Sequence, residues 1–174
     1  EPILREGGVG LADVRVSCGW PARGALATAK RRVGECWHHT MNADGQNHIF
    51  VSPCIAESVA VLGILIHELI HAALTAKAKH GKGFAKVAVK CGLEGKPTAT
   101  SVGPALAERL HAQILPALGP YPHQAIDASL RPKQTTRMRL YECQCDPAAA
   151  KADGRTTKVR VAADDWLATC NICG

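Results

Sequence analysis

The feature of this sequence that most constrains its fold is the five-residue motif HELIH, from His67 to His71, inside an otherwise apolar run. In an α-helix, positions four apart lie on one face, so His67 and His71 can direct two imidazoles at a single ion. Glu68 is displaced to the side, where a metal-bound water would lie. Burying these polar side chains without partners would cost several kcal/mol. The motif therefore predicts a metal-binding helix, and the alternative is a helix whose histidines are satisfied within the core.

A third ligand is expected just downstream, because a catalytic zinc site takes three protein ligands and leaves one position for water. The helix is expected to continue for about two turns, through Lys79. The two glycines between His80 and Phe84 would then reverse the chain, and Phe84 would begin a second helix. No acidic residue occurs over residues 81–93, which disfavours a glutamate ligand. The sequence predicts His80 as the third ligand, against the alternative of a solvated loop histidine.

The segments HELIHAAL and HGKGF together resemble the SprT-like zinc metallopeptidases, whose pattern is HExxH, a variable spacer, and then HG with an aromatic residue. The spacer is short, as in a compact phage and bacterial branch, and segments such as VRVSCGWP and GECW extend the resemblance over most of the chain. The resemblance implies a zincin-like core of the α+β class over residues 1–132, with a small antiparallel sheet beside the active-site helices. It also implies peptide-bond hydrolysis with Zn2+ on His67, His71 and His80, a zinc-bound water, and Glu68 as the general base.

Three short runs before the motif predict β-strands. Residues 13–18 alternate polar and apolar side chains, and residues 34–38 and 47–51 flank the turn sequence Asn-Ala-Asp-Gly. These runs are expected to form the antiparallel sheet, whose edge strand could hold an extended peptide through main-chain hydrogen bonds. Gly63, one turn before His67, either lets a strand or loop pack close to the helix or simply weakens that helix by about 1 kcal/mol.

The chain beyond the second helix gives weaker signals. Residues 92–104 are expected to form a linker, and residues 105–115 predict a third helix that Pro116 ends. A rigid turn follows, and it contains Tyr121 and His123, either of which could stabilise the oxyanion that forms on peptide attack. The sequence places neither of them near the metal, so neither belongs to the predicted site.

Eight cysteines fall into two groups of different spacing. Four lie singly, mostly among apolar residues, where a free thiol behaves as a small hydrophobe. The other four form two close pairs near the C-terminus: Cys143, Cys145, Cys170 and Cys173. Four thiolates around one structural Zn2+ would stabilise residues 133–174, a module that resembles the zinc ribbon of the family. The first pair is C-x-C rather than C-x-x-C, so partial or absent metal is the alternative. Both groups fit a reducing, cytoplasmic location.

The net charge of +6 makes contact with polyanions plausible. Basic residues gather in two groups, one around His80 and one before the cysteine module: Lys77, Lys79, Lys82, Lys86 and Lys90, and Arg131, Lys133, Arg137 and Arg139. They are either solvated faces or non-specific contacts to DNA phosphates. The longest uncharged apolar stretch, residues 59–66, is far shorter than the ~20 residues that cross a bilayer, so no membrane partner is expected.

Two functions from different classes fit these features. The first is a zinc endopeptidase that acts on a protein or peptide, with one catalytic and one structural Zn2+. The second is a nucleic-acid- or protein-binding module whose metal sites are both structural. Glu68 favours the endopeptidase, because a structural site has no use for a general base. A protease that DNA switches on would combine the two, and the sequence leaves the substrate and the oligomeric state open.

Overall fold

The structure of the chain is a computed structural model that describes residues 1–27, 30–131, 138–143, 148, 158–162 and 169. The chain divides into two compact units, Glu1–Leu130 and Arg131–Gly174. The predicted boundary between residues 132 and 133 lies outside the described residues. Helices and small sheets both contribute to the fold, which confirms the predicted α+β class.

Short groups of helices and of strands follow one another along the chain. In order they are α1 (Pro2–Gly7), β1 (Val14–Cys18), β2 (Gly34–Trp37), β3 (Asn47–Val51), α2 (Ser58–Ala73), α3 (Lys82–Lys90), β4 (Leu93–Lys96), β5 (Ala99–Val102), α4 (Pro104–Arg109), α5 (Leu115–Leu118), β6 (Arg139–Glu142) and β7 (Lys158–Val161). Single 3-10 turns lie at His39–Met41, Ala76–Ala78 and Ala128–Leu130. In the second unit, β6 and β7 pair as an antiparallel ribbon.

The first sheet has the strand order β1-β3-β2, with β3 in the centre. β2 runs antiparallel to β3, as the turn sequence between them predicts, but β1 pairs parallel to β3. The expectation of a purely antiparallel sheet is therefore wrong. A two-residue period fixes which side chains share a face, but it does not fix the direction of a strand whose partner is distant in sequence. Asn47 ties the three strands together: its amide donates to the Asp13 carbonyl (3.0 Å) and accepts from the His39 N–H (2.8 Å).

α2 is the central element of the first unit because it is covered on two sides. On one side, Val61 and Ala72 pack with Ile49 and Val51 from the inner face of the sheet. On the other side, a larger cluster is built from α2 and the flanking elements: Ile3, Leu4, Val59, Ile66, Ile70, Phe84, Ala88, Cys91, Leu93, Leu106 and Leu110. A helix buried on two sides must be apolar around most of its circumference, which explains the run before HELIH. No helix in the described part of the chain, α2 included, is long and apolar enough to cross a membrane.

α2 ends at Ala73, whereas the sequence predicts two further turns through Lys79. Leu74 takes an extended conformation and packs against the larger apolar cluster, and its N–H still donates to the Ile70 carbonyl. The alanines and lysines that follow favour a helix, but this preference is worth only a fraction of a kcal/mol per residue, so the burial of Leu74 outweighs it. The prediction is wrong for this reason.

β4 and β5 form an antiparallel hairpin, with Leu93 opposite Val102, where the sequence predicts a linker. Buried Leu93 anchors the first strand directly after Gly92, whose φ of 84° ends the preceding helix. The hairpin packs on α2 at Gly63, where an added Cβ would overlap Val102 Cγ2. This contact confirms the expectation that Gly63 lets a strand pack close to the helix.

The third predicted helix is longer than expected and irregular. It begins at Pro104, widens into a π-helical segment at Leu110–Ile114, and continues through Pro116 to Leu118. A proline inside a helix lacks the N–H for the regular ladder and its ring would clash with the carbonyl of residue 112. The π segment includes residue 112, and its wider turn makes room for the proline ring. Pro116 therefore does not end the helix.

Replacing Gly63 with alanine should destabilise the first unit, although alanine favours a helix over glycine by about 1 kcal/mol. The new methyl group would overlap Val102, and overpacking of this kind typically costs about 1–3 kcal/mol. Gly83 is the matched control, because it lies in α3 and an added Cβ would meet nothing within 4 Å. Urea unfolding should give a lower midpoint for Gly63→Ala and an equal or higher one for Gly83→Ala. Equal midpoints for both variants would contradict close packing of the hairpin on α2.

Candidate metal centre

The three histidines of the predicted site meet at one point. His67 and His71 project from successive turns of α2, and His80 comes from the segment before α3. The Nε2 of His80 lies 3.2 Å from the Nε2 of His67 and 3.1 Å from that of His71. Two ligands of a tetrahedral ion with bonds of about 2.0–2.1 Å are about 3.3 Å apart. The group could therefore hold a metal ion.

All three imidazoles favour the neutral form, which is the form that binds metal. Burial, followed by proximity to His80, lowers the pKa of His67 to about 4. Burial, followed by the other two rings, lowers the pKa of His71 to about 3. The pKa of His80 is also lowered, by burial and then by the Arg32 cation. Nitrogen lone pairs that face one another cannot all find a proton, whereas one cation satisfies them together.

His80 is presented by a tight turn over residues 78–81, which the Gly81 N–H closes by donating to the Ala78 carbonyl at 3.0 Å. Lys79 takes the first central position with φ 44° and ψ −135°, a type II′ conformation usually adopted by glycine. The predicted reversal at the two glycines is wrong, since Gly81 has φ −72° and Gly83 lies inside α3. The backbone of Lys79 therefore directs His80 toward α2.

Phe84 contacts all three imidazoles from a fully buried position. Its ring stacks on His71 with centroids 4.3 Å apart, and it lies 4.7 Å from His67 and 5.1 Å from His80. α3 begins at Lys82, so Phe84 lies in its first turn and directly follows the turn that carries His80. The aromatic residue of HGKGF thus fixes the orientation of the rings by packing.

Thr100 on β5 orients His67, a role that the sequence analysis does not predict. The Oγ1 of Thr100 lies 2.8 Å from the Nδ1 of His67. When Nδ1–H donates to this hydroxyl, the tautomer is fixed and the Nε2 lone pair faces the other two histidines. The reason is that the sequence predicts a linker where the hairpin carries Thr100. An alternating Ala-Thr-Ser-Val run is the only local sign of a strand there.

Glu68 is 6% exposed and lies against β2. A Cβ added at Gly34 would lie 2.5 Å from its Oε1, so the missing side chain leaves the space that the carboxylate occupies. Burial, followed by the charge of Glu35, raises the pKa of Glu68 to about 8, while Arg32 and a hydrogen bond from the Cys36 N–H oppose the rise. The site therefore holds a carboxylate of high proton affinity beside the three imidazoles.

A cleft of about 820 Å3 contains these groups and runs along β2. The Ser52 N–H donates to the Val33 carbonyl, so the main-chain groups of Val33 face β3. Main-chain groups point to opposite sides at successive residues of a strand. Those of Gly34 and Cys36 therefore point away from β3, toward the free edge of β2. Both residues line the cleft. The same cavity thus contains the histidines, the carboxylate and a strand edge that pairs with no other described strand.

The two aromatic candidates for oxyanion stabilisation lie elsewhere. The main-chain N–H of Tyr121 donates to Ser58 Oγ (2.9 Å) at the start of α2, about 13 Å along the helix from His67. The His123 ring packs beside Tyr121, with centroids 5.2 Å apart. Neither side chain lines the cleft.

The predicted cysteine site falls mostly beyond the described residues. Cys143 directly follows β6, whereas Cys145, Cys170 and Cys173 lie outside the described ranges. Zn2+ binding by these four thiolates stays a prediction of the sequence.

Comparison of the chain with known protein families, with curated proteins and with solved structures finds no match. What the site can bind or catalyse must therefore be inferred from its geometry. That geometry consists of three convergent imidazoles, one buried carboxylate and a free strand edge within one cleft.

Replacing Thr100 with valine should weaken metal binding by about 10- to 100-fold, the usual effect of losing the partner of a ligating histidine. Valine keeps the branched shape and the strand preference but cannot accept from Nδ1–H of His67. Thr98→Val is the control, because Thr98 lines the same cleft and makes no hydrogen bond to a histidine among the described contacts. Competition against a chromophoric chelator measures both affinities. Equal affinities in the two variants would remove Thr100 from the site.

Proposed function

We propose that the chain is a zinc-dependent endopeptidase of the SprT-like type, with a zincin-like core in its first unit. The observation that carries the proposal is the convergence of three Nε2 atoms beside a buried carboxylate, in a cleft with a free strand edge. These features bring a metal site, a base and a place for a substrate main chain together. The zinc-ribbon module and the cytoplasmic location stay predictions of the sequence.

His67, His71 and His80 would hold the ion through their Nε2 atoms. Three neutral imidazoles fit Zn2+, which accepts nitrogen ligands and keeps one position open when the protein supplies only three. Bound there, Zn2+ would supply Lewis acidity, which would polarise the scissile carbonyl and lower the pKa of a coordinated water to about 7. Thr100 and Phe84 hold the rings in place, so that the donor atoms need little rearrangement.

Glu68 is the general base of the proposed reaction. Its carboxylate takes the proton of the attacking water and then delivers it to the leaving amine. Burial favours proton uptake, and the Cys36 N–H holds the carboxylate beside the histidines. Gly34 is a positioning residue, because any side chain there would displace the Glu68 carboxylate.

An extended peptide is the substrate that this cleft accommodates best. The free edge of β2 offers the Gly34 N–H and the carbonyls of Gly34 and Cys36, since the Cys36 N–H already donates to Glu68. A peptide can add to such an edge as a further strand. The peptide would then lie across the opening in which Glu68 and the histidines are found. This arrangement needs no deep pocket for one side chain.

The alternative function is a binding module in which the metal braces α2 against the turn that carries His80. The two functions differ in what they require of Glu68. A purely structural site would be more stable without a buried carboxylate that takes up a proton so readily. The presence of Glu68 beside the histidines therefore favours catalysis.

Glu68→Gln should abolish peptide cleavage without affecting metal content. Glutamine keeps the volume and can still accept the Cys36 N–H, but it cannot take a proton from water, and general-base help is typically worth roughly 10²–10⁴-fold. His71→Ala is the companion variant, which should lose both metal and activity because it removes a ligand. Elemental analysis and cleavage of an unfolded protein measure the two properties. A Glu68→Gln protein that cleaves as fast as the parent would remove Glu68 from the mechanism.

A second proposal concerns the exposed face of α3. Lys82, Lys86 and Lys90 recur at four-residue intervals and are exposed, and none of them makes an ion pair with a described carboxylate. A row of unpaired cations matches the phosphates of a nucleic acid, and we propose that this lysine row binds DNA without sequence preference. The row begins two residues after His80, so bound DNA would lie near the cleft.

DNA binding by the lysine row should weaken steeply as salt rises. Losing one phosphate contact lowers the magnitude of the slope of log affinity against log salt by about 0.7–0.9. Lys86→Gln should show this change, whereas Lys96→Gln, an equal charge loss on β4, should not. Fluorescence anisotropy with a labelled oligonucleotide gives both slopes. Equal slopes in the two variants, or no binding at about 50 mM salt, would mean that the row is a solvated face.

A further inference from the structure

Two lysines that line the cleft have a backbone conformation that lysine rarely adopts. Lys30 has φ 54° and Lys79 has φ 44°, and they are the only non-glycine residues with positive φ in the described ranges. Lys30 lies shortly before β2, on the sheet side of the cleft, and Lys79 immediately precedes His80. Positive φ costs free energy in any residue with a Cβ, and such strain is concentrated at functional sites.

The side chains of these two lysines are exposed and have no ion-pair partner among the described carboxylates. The acidic groups that line the cleft are Glu35 and Glu68. Glu68 is buried, and Glu35 accepts from the Ala22 N–H (2.7 Å) and from Trp37 Nε1 (3.2 Å). Glu35 also pairs with the Arg32 guanidinium, which offsets that cation. Arg31 lines the cleft as well, but its Nε donates to the Ala27 carbonyl (3.2 Å) and its charge acts on the nearby Asp127 carboxylate. Lys30 and Lys79 therefore leave uncompensated positive charge at the mouth of the cleft.

We propose that Lys30 and Lys79 select peptide substrates that carry acidic side chains next to the scissile bond. This inference rests on the proposed peptidase function and names the substrate class of the same site. Lys30 precedes the strand that would hold the peptide, and Lys79 immediately precedes the proposed ligand His80. A bound peptide would thus pass between two cations, each within reach of a carboxylate on that peptide. The strand edge favours a peptide over a nucleic acid, because its groups match a main chain.

A binding measurement separates this proposal from catalysis. Zinc-loaded Glu68→Gln protein is titrated with two labelled peptides that differ only in Glu against Gln on both sides of the central bond. An exposed ion pair is worth roughly 1.5- to 5-fold in affinity. We expect the Glu peptide to bind about 2- to 25-fold more tightly, the range for two such pairs, and the preference to fall at high salt.

The variants Lys30→Gln and Lys79→Gln, made in the same background, test whether these cations cause the preference. Each should lose part of it, and the double variant should bind both peptides equally. Lys90→Gln is the matched control, because Lys90 is exposed at the end of α3 and does not line the cleft. Lys79→Gly should lose the same preference as Lys79→Gln while raising the unfolding midpoint, since glycine adopts the turn without strain.

If the Glu68→Gln protein with Lys30 and Lys79 unchanged binds the Glu and Gln peptides with equal affinity, the proposal is overturned. A preference that survives in the double variant, or that Lys90→Gln reduces as strongly, would overturn it as well. If the two variants weaken binding of a single-stranded oligonucleotide and leave the peptide preference unchanged, the cations serve nucleic acid instead. Because binding is read without turnover, a parent protein that cleaves no peptide would refute the peptidase function alone.

Discussion

The arrangement of the first unit centres on the close approach of three imidazole nitrogens. The Nε2 of His80 lies 3.2 Å from that of His67 and 3.1 Å from that of His71. Lone pairs at this distance repel unless a proton or a cation lies between them, and burial disfavours the protons. A metal ion would relieve all of these contacts at once. The ion would then join α2, the turn that carries His80 and, through Thr100, the β4–β5 hairpin. Part of the folding free energy of this unit would come from metal binding.

The absence of two side chains sets the geometry around α2. Gly34 leaves room for the Glu68 carboxylate on one side of the helix, and Gly63 leaves room for Val102 on the other. The sheet and the hairpin can therefore approach closely enough to build both walls of the cleft. Glu68 and the three histidines are thus positioned by close packing of backbone, which is more rigid than contacts between long side chains.

The sequence predicts the parts of the site that local periodicity controls. His67, Glu68 and His71 follow from the helical period, and His80 follows from the need for a third ligand downstream. The direction of β1 and the β4–β5 hairpin depend on pairing with distant segments, which a pattern of side chains does not encode. Thr100 was missed along with its hairpin. The sequence predicts the turn at the neighbouring glycines rather than at Lys79, because residues with positive φ in such turns are usually glycine. Tertiary contacts override local preference at these positions.

The free edge of β2 has a consequence for solubility as well as for recognition. An unpaired strand edge accepts any extended chain, including the same edge of a second copy. Two such edges, brought together, would place the Lys30 and Lys79 cations of one copy near those of the other, on chains that each carry a net charge of +6. Like charges then oppose self-association, while a chain that carries carboxylates meets no such barrier. The protection is electrostatic, so it weakens as salt screens the charges. The proposed preference for acidic peptides and the protection against self-association therefore depend on the same two side chains.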